Sequence, residues 1–365
     1  MKAAVRAWAE LLRVSALFTV PGDALAGAAA LGRRPDRGTA LAVGASLCLY
    51  EAGMALNDWA DRDEDAIDRP HRPIPSGRIT PGAALAAAGA LTAAGLTLAA
   101  RAGRPALTVA TGLAATVWAY DLHLKHTQAG PAAMAGARAL DLLLGATATG
   151  AGYVGVKRPA GATGTSHAAR SVGTVLPTRT ARILGTRARA AAPAQSRGPA
   201  RTTHPDVRAA IPAAALLGAH TYAVTAVSRH EAQGGSTVAP LGALAAIVAL
   251  GAAAAREQRA SRGLPPVPEK GGPGDHHRPR PGAPVPRLLL TALTAAYLRT
   301  AAKPLLHATL NPSPPLTQRA VGGGIRAMIP LQAMLAARAG AAGTGLAVMG
   351  LVPLARTLAR KVSLT

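Results

Sequence analysis

An all-helical, multi-pass membrane bundle is the fold class this sequence predicts, and three observations predict it. Hydrophobic residues make up 49% of the chain and charged residues only 16%, a membrane composition. The charges gather between long apolar stretches, each near the ~20 residues a helix needs to cross a bilayer. One of these stretches, residues 82–100, carries no charge at all.

In chain order, spans are expected near 14–32, 39–56, 82–100, 105–122, 131–155, 207–227, 237–255, 285–303 and 338–355, about nine transmembrane helices. The first contains Asp23 and lacks a small-residue cleavage site, so it reads as a span and not as a cleaved signal peptide. The second holds Glu51 and the sole cysteine, Cys48, which excludes a disulfide within the chain. Several spans are rich in Ala and Gly, residues that let helix backbones approach closely. The fifth carries Arg138 and Asp141 at i and i+3. Charges inside a bilayer are costly and so mark functional candidates; an ion pair within or between helices accounts for these two equally well. Residues 321–337 are ambiguous, because Gly322 to Gly324 and Pro330 interrupt them.

The organisation expected is a first transmembrane half over 1–156, an insertion over 157–206 and a second transmembrane half over 207–365. The insertion holds nine Lys or Arg and one acid, Asp206, without periodicity, and reads as disordered. A linker near 256–284 reads the same way, with His276 and His277 solvated.

The formal charge of +23 and a pI near 11.6 raise the question of nucleic-acid binding. One Phe, three Trp and five Tyr leave little for stacking bases, and the basic residues are spread over loops, so no nucleic-acid partner is expected. Alternating spans place Lys2, Arg6, Arg13, Arg62, Arg69, Arg72, Arg78 and Lys125 on one side, cytoplasmic by the positive-inside tendency. The catalytic loops are therefore expected on the cytoplasmic face of the cell membrane. Arg33, Arg34, Arg37 and the insertion fall on the other side and fit less well.

The most informative stretch is 57–77, NDWADRDEDAIDRPHRPIPSG. Of the 17 acidic residues, six (Asp58, Asp61, Asp63, Glu64, Asp65 and Asp68) fall here within eleven positions. If the second span's helix continues for two turns, Asp58, Asp61 and Asp65 lie at i, i+3 and i+7 and share one face beside Asn57. Clustered hard oxygen ligands suit Mg²⁺, which completes its octahedron with water and substrate phosphates. A solvated acidic loop is the plainer alternative. Arg69, Arg72 and Arg78 follow with His71, the cationic groups a pyrophosphate needs for its remaining charge. Pro70, Pro73 and Pro75 stiffen the connection, and the whole reads as a diphosphate clamp on a loop.

These residues resemble the UbiA superfamily of intramembrane aromatic prenyltransferases. Asn57, Asp58, Asp61 and Asp65 match the family's NDxxDxxxD signature at every position, and Asp68, Arg69, Arg72-Pro73 and Ser76-Gly77 match its continuation. The resemblance implies two pseudo-repeated four-helix units, and an enzyme that moves a prenyl group from a prenyl diphosphate to a lipid-like or aromatic acceptor among membrane lipids. It implies Mg²⁺ held by Asp58, Asp61 and Asp65, with Asn57, Asp68, Arg69 and Arg72 at the diphosphate.

Residues 120–127, YDLHLKHT, resemble the family's loop in which Tyr precedes Lys. Lys125 would neutralise the departing pyrophosphate, with Tyr120 beside it; Tyr and Lys at a helix end also serve as interfacial anchors. Asp121 is a nearby acid with no assigned role. The resemblance further implies a second acidic motif, yet the corresponding stretch, YAVTAVSRHEAQGGST, supplies only Glu231, with Ser228, Arg229 and His230 where Asp is expected. Arg229 and Glu231 are candidates at the substrate, as is Arg138, and Glu231 is a candidate metal ligand. Asp23 and Glu51 are weaker candidates to complete the acid set. Tyr297 and Lys303 faintly repeat the Tyr-to-Lys arrangement, and Arg326 is a further basic residue near the same side. The eroded second motif keeps a second reading open, a UbiA-like protein that binds or moves a lipid without transferring a chain.

Overall fold

A computed structural model describes residues 2–150, 206–231, 234–260, 287–354 and 357. The chain divides into two compact units, residues 1–153 with 205–365, and residues 154–204. Every described residue belongs to the first. The expected disorder of the 157–206 insertion, Asp206 apart, and of the linker beyond Ala260 falls outside the described residues.

The described residues form α-helices and no strand. The first half comprises α1 (Lys2–Leu11), a 3₁₀ turn Val14–Thr19, α2 (Pro21–Ala30), α3 (Arg37–Ala60), α4 (Arg62–Asp68), α5 (Pro81–Ala102), α6 (Arg104–Ala119), a π-helical turn Tyr120–Leu124 and α7 (Gly130–Ala148). The second comprises a 3₁₀ turn Val207–Ala210, α8 (Ile211–Ser228), α9 (Val238–Ala260), α10 (Arg287–Leu310), α11 (Pro314–Arg338) and α12 (Ala342–Met349). Four helices, Arg37–Ala60, Pro81–Ala102, Val207–Ser228 and Pro314–Arg338, are long and apolar enough to cross a membrane. The protein is a helical membrane protein.

Local sequence sets most of the helix starts. Pro stands at one of the first two positions of α2, α5, α6, α7, α8 and α11, where its missing N–H costs nothing and its fixed φ is already helical. The helix that carries the acidic motif, α3, begins with a reciprocal cap. Asp36 accepts from the Thr39 N–H at 2.9 Å, and Thr39 Oγ1 accepts from the Asp36 N–H at 3.0 Å.

Helix number departs from expectation, with twelve α-helices among the described residues and the main difference at the C-terminal end. The span expected near 338–355 is α12, eight residues long. The ambiguous stretch 321–337 lies inside α11, 25 residues without a break. Its glycines face neighbours instead of breaking the helix. A Cβ at Gly323 would lie 2.9 Å from the Pro304 ring and 3.0 Å from the Thr300 carbonyl of α10, and Gly324 abuts Val224 of α8. Close tertiary packing outweighs the low helix propensity of glycine.

Helix α3 lies along α5 and α10 along α11, while α7 against α8 joins the halves and α2 packs on both α7 and α11. Gly27 of α2 faces the Leu142 backbone, and Gly145 of α7 faces the Ala24 backbone, so a side chain at either position would collide with the opposite helix. A cavity of about 380 Å³ lies between α3, α6, α7, α8 and α11.

Candidate active site

Helix α3 ends just past the acidic signature. Asp58 lies in its last turn; Asp61 caps it and opens α4, and the Asp65 N–H donates to the Asp61 carbonyl at 2.8 Å. The break is thus small enough to keep Asp58 and Asp65 on one face. Arg72 bridges them, its Nη1 lying 3.4 Å from Asp58 Oδ1 and 2.5 Å from Asp65 Oδ2. Arg13 also reaches Asp58 Oδ1 at 3.1 Å, and Arg69 reaches Asp65 at 3.4 Å. Asp61 is ion-paired with Lys125, which the π-helical turn after α6 delivers from the opposite wall.

Asn57, Tyr120, Asp121, Arg138 and Glu231 line the cavity with Arg13. The site therefore has two ends. At its mouth are the acids and cations just described. At its inner end Arg138 is held among Asp23 Oδ2 at 2.7 Å, Thr19 Oγ1 at 3.1 Å and Asp141 Oδ2 at 3.8 Å, while Ser46 donates to Asp141. Between the ends the walls are apolar, with Leu49, Leu113, Val117, Val224, Val321 and Met328.

Four expected substrate residues, Asp68, Arg69, Arg72 and Arg229, stand outside the cavity lining, Arg69 and Arg72 because they pair with the signature acids. Asp68 is exposed at the end of α4. Arg229 donates instead to the Thr127 carbonyl at 2.7 Å, tying the turn after α8 to the turn after α6. Asp23 and Glu51 do not complete the missing acid set. Asp23 is fully buried against Arg138 and Gln332, and Glu51 is half-buried away from the cavity. Tyr297 does not repeat Tyr120; its hydroxyl is buried 3.0 Å from His220 Nδ1. Arg78 leaves the diphosphate clamp and pairs with Glu10 at 2.6 Å, fastening α1 to the loop after α4.

Glu231 is half-buried at the mouth. Burial pushes its carboxyl above the usual glutamate value, and the charge of Arg69 opposes the shift. The second-half loop thus lies within electrostatic reach of the acidic segment's Arg69.

The donor set fits a hard divalent cation. Asp58, Asp61 and Asp65 present only oxygen beside the cavity, which Asn57 and Glu231 line. Among the described residues the acidic group whose ligand atoms all lie within 4.8 Å of one another is Asp61, Glu64 and His126, with Glu64 and His126 exposed. Arg13 was missed by sequence reasoning because it lies 45 residues from its partner Asp58; only its place beside the first apolar stretch hinted at it.

Comparison with solved structures finds the same fold. The apo structure of a UbiA homolog from Aeropyrum pernix K1 is 17% identical with a TM-score of 0.54, over 92% of this chain and 98% of that one. The structure of a UbiA homolog from Archaeoglobus fulgidus bound to GPP and Mg²⁺ is 16% identical with a TM-score of 0.52, over 94% and 99%. The family model for UbiA prenyltransferases matches residues 15–174, which include the acidic signature, Lys125 and Arg138. Over those residues the chain is similar to UbiA prenyltransferases. Among curated UbiA relatives, the digeranylgeranylglyceryl phosphate synthase of Methanopyrus kandleri is 36% identical over 128 residues, 34% of this chain and 45% of the relative. The match thus spans less than half of that relative's length. The acidic signature lies within the matched residues, and the second-half loop with Glu231 lies outside them.

Proposed function

We propose that the protein is an integral membrane prenyltransferase that moves a prenyl group from a polyprenyl diphosphate to a lipid-like or aromatic acceptor with Mg²⁺ assistance. The observation that carries this reading is the pairing at the mouth. Asp58 and Asp65, bridged by Arg72, stand there with Arg13, and Asp61 pairs with Lys125, so oxygen ligands and phosphate-binding cations lie together along one edge of the cavity. The apolar walls behind that opening suit the first isoprene units of a donor. Support also comes from the relatives, one named a digeranylgeranylglyceryl phosphate synthase and one bound to GPP and Mg²⁺.

Asp58, Asp61 and Asp65 would hold the metal, with Glu231 facing them from the second half. Bound Mg²⁺ supplies positive charge to the diphosphate oxygens. Arg72 and Lys125 exchange their carboxylate partners for those oxygens and stabilise the charge that develops as the C1–O bond breaks. Arg69, Asn57 and Tyr120 border the same space. The mouth faces the cytoplasm, in accord with the basic residues around it.

The single acid in the second loop favours a second reading, a UbiA-like protein that binds or carries a lipid without chain transfer. Incubation with labelled geranylgeranyl diphosphate, Mg²⁺ and a membrane lipid extract separates the two. A new prenylated product supports the transferase, and tight binding without turnover supports the carrier. Asp61→Asn and Asp65→Asn are each expected to abolish Mg²⁺-dependent pyrophosphate release; full activity in both would overturn the role given to these carboxylates.

A further inference from the structure

We propose that Asp121 is a catalytic residue of this site, the base that takes the proton from the acceptor's attacking group. The inference rests on the transferase reading above and names a role that the acidic signature does not cover. Asp121 is only 4% exposed, yet it lines the cavity. Among the described residues it makes no hydrogen bond and no ion pair within 4 Å, whereas Asp23, Asp58, Asp61, Asp65 and Asp141 are each paired with a cation. A buried carboxylate without a partner is costly to maintain, and here it opens onto the space where substrate binds.

Its position follows from the backbone. Residues 120–124 form a single π-helical turn, closed by the Lys125 N–H donating to the Tyr120 carbonyl at 3.0 Å; such turns recur at functional sites. The turn serves two ends at once, since Lys125 pairs with Asp61 while Asp121 turns to the cavity. Across from it, Gly53 of α3 has no side chain. A Cβ there would lie 3.0 Å from Val117 Cγ1 and 3.8 Å from Asp121 Oδ2, so Asp121 faces this bare stretch of α3 at ordinary contact distance. Gly53 precedes Asn57 by four residues, about 6 Å along the helix axis. Asp121 therefore sits about one helical turn inward of Asn57. The charged groups around it are Lys125 of its own turn, Asp61 and Asp58 at the end of α3, and Arg13 from the segment after α1.

The step balances without a further reactant. The C1–O bond of the donor breaks and its electron pair leaves on pyrophosphate. A lone pair on the acceptor's hydroxyl, or the π electrons of its ring, forms the new bond to C1. The proton displaced from that oxygen or ring carbon passes to an Asp121 carboxylate oxygen and then to water at the mouth. The acceptor class is thereby narrowed to compounds whose reacting atom carries a proton: an alcohol, a phenol, an aromatic C–H, or water itself.

The test compares wild type with Asp121→Asn and Asp121→Glu in detergent, using labelled geranyl diphosphate, Mg²⁺ and a membrane lipid extract. Donor Kd and the carbon product are both measured, prenol included. Asp121→Asn is expected to bind donor within about threefold of wild type while product formation falls at least about a hundredfold, the range that loss of a general base produces. Asp121→Glu, which keeps a carboxylate, is expected to recover product about tenfold or more above Asp121→Asn. Product formation by Asp121→Asn within about threefold of an active wild type would overturn the role of Asp121 alone. Donor affinity lost in parallel with product would overturn it too, by making Asp121 part of the diphosphate site. A wild type that forms no product from any donor would overturn the transferase reading itself, and this inference with it.

Discussion

At the scale of single residues, the matching of buried acids to cations decides what each acid can do. Arg138 satisfies Asp23, Asp141 and Thr19 at the inner end of the cavity, with Gln332 Nε2 donating to Asp23 at 2.6 Å. Replacing Arg138 with Met would leave two carboxylates without counter-charge, a loss expected to cost about 3–5 kcal/mol. Thermal unfolding in detergent should show a large drop in Tm for Arg138→Met and partial recovery in the Arg138→Met/Asp23→Leu double variant, which still leaves Asp141 unpaired. Glu231 behaves in the opposite sense. Burial raises its pKa in the folded state, so ionisation weighs against the fold as pH rises through the ordinary glutamate value of 4.5. Glu231→Gln is therefore expected to unfold at a higher temperature than wild type at neutral pH, with the difference vanishing below that value, where both states of the wild type are protonated.

At the scale of helices, small residues set the distances on which the site depends. Gly145 brings α7 against α2, the contact that lets Arg138 reach Asp23 and Thr19. Gly145→Leu should push the two helices apart, lower Tm and break the inner polar cluster, while a change at the open Gly89 of α5, where a Cβ would meet nothing within 4 Å, should not. Unfolding measured on both variants checks this. The same packing explains what the sequence misplaced. Hydropathy alone favours 338–355 over the glycine-interrupted 321–337, yet the long helix is α11. Its glycines look like breaks until α8 and α10 are seen against them, because the favourable term is contact between helices and not propensity within one.

At the scale of the whole molecule, the cavity joins the two halves, with α3, α6 and α7 on one side and α8 and α11 on the other. A bulky residue on the second-half wall should therefore block a donor bound through first-half acids. Thr225→Trp is expected to abolish donor binding, measured by titration with geranyl diphosphate and Mg²⁺, while the cooperative unfolding transition is retained. Unimpaired binding would mean that the isoprene units run elsewhere.

Spacing along the chain sufficed for the membrane class, for most helix positions and for the acidic signature. Apolar runs of bilayer length, prolines at helix starts, and carboxylates at i, i+3 and i+7 are properties of neighbours in the sequence. Which cation neutralises which acid was decided only in three dimensions. Arg13 meets Asp58 across 45 residues and Lys125 meets Asp61 across 64. Those meetings depend on how closely helices approach. By occupying cations at the mouth, they leave Asp121 facing the cavity with no hydrogen-bond or ion-pair partner among the described residues, a property its place in YDLHLKHT does not reveal.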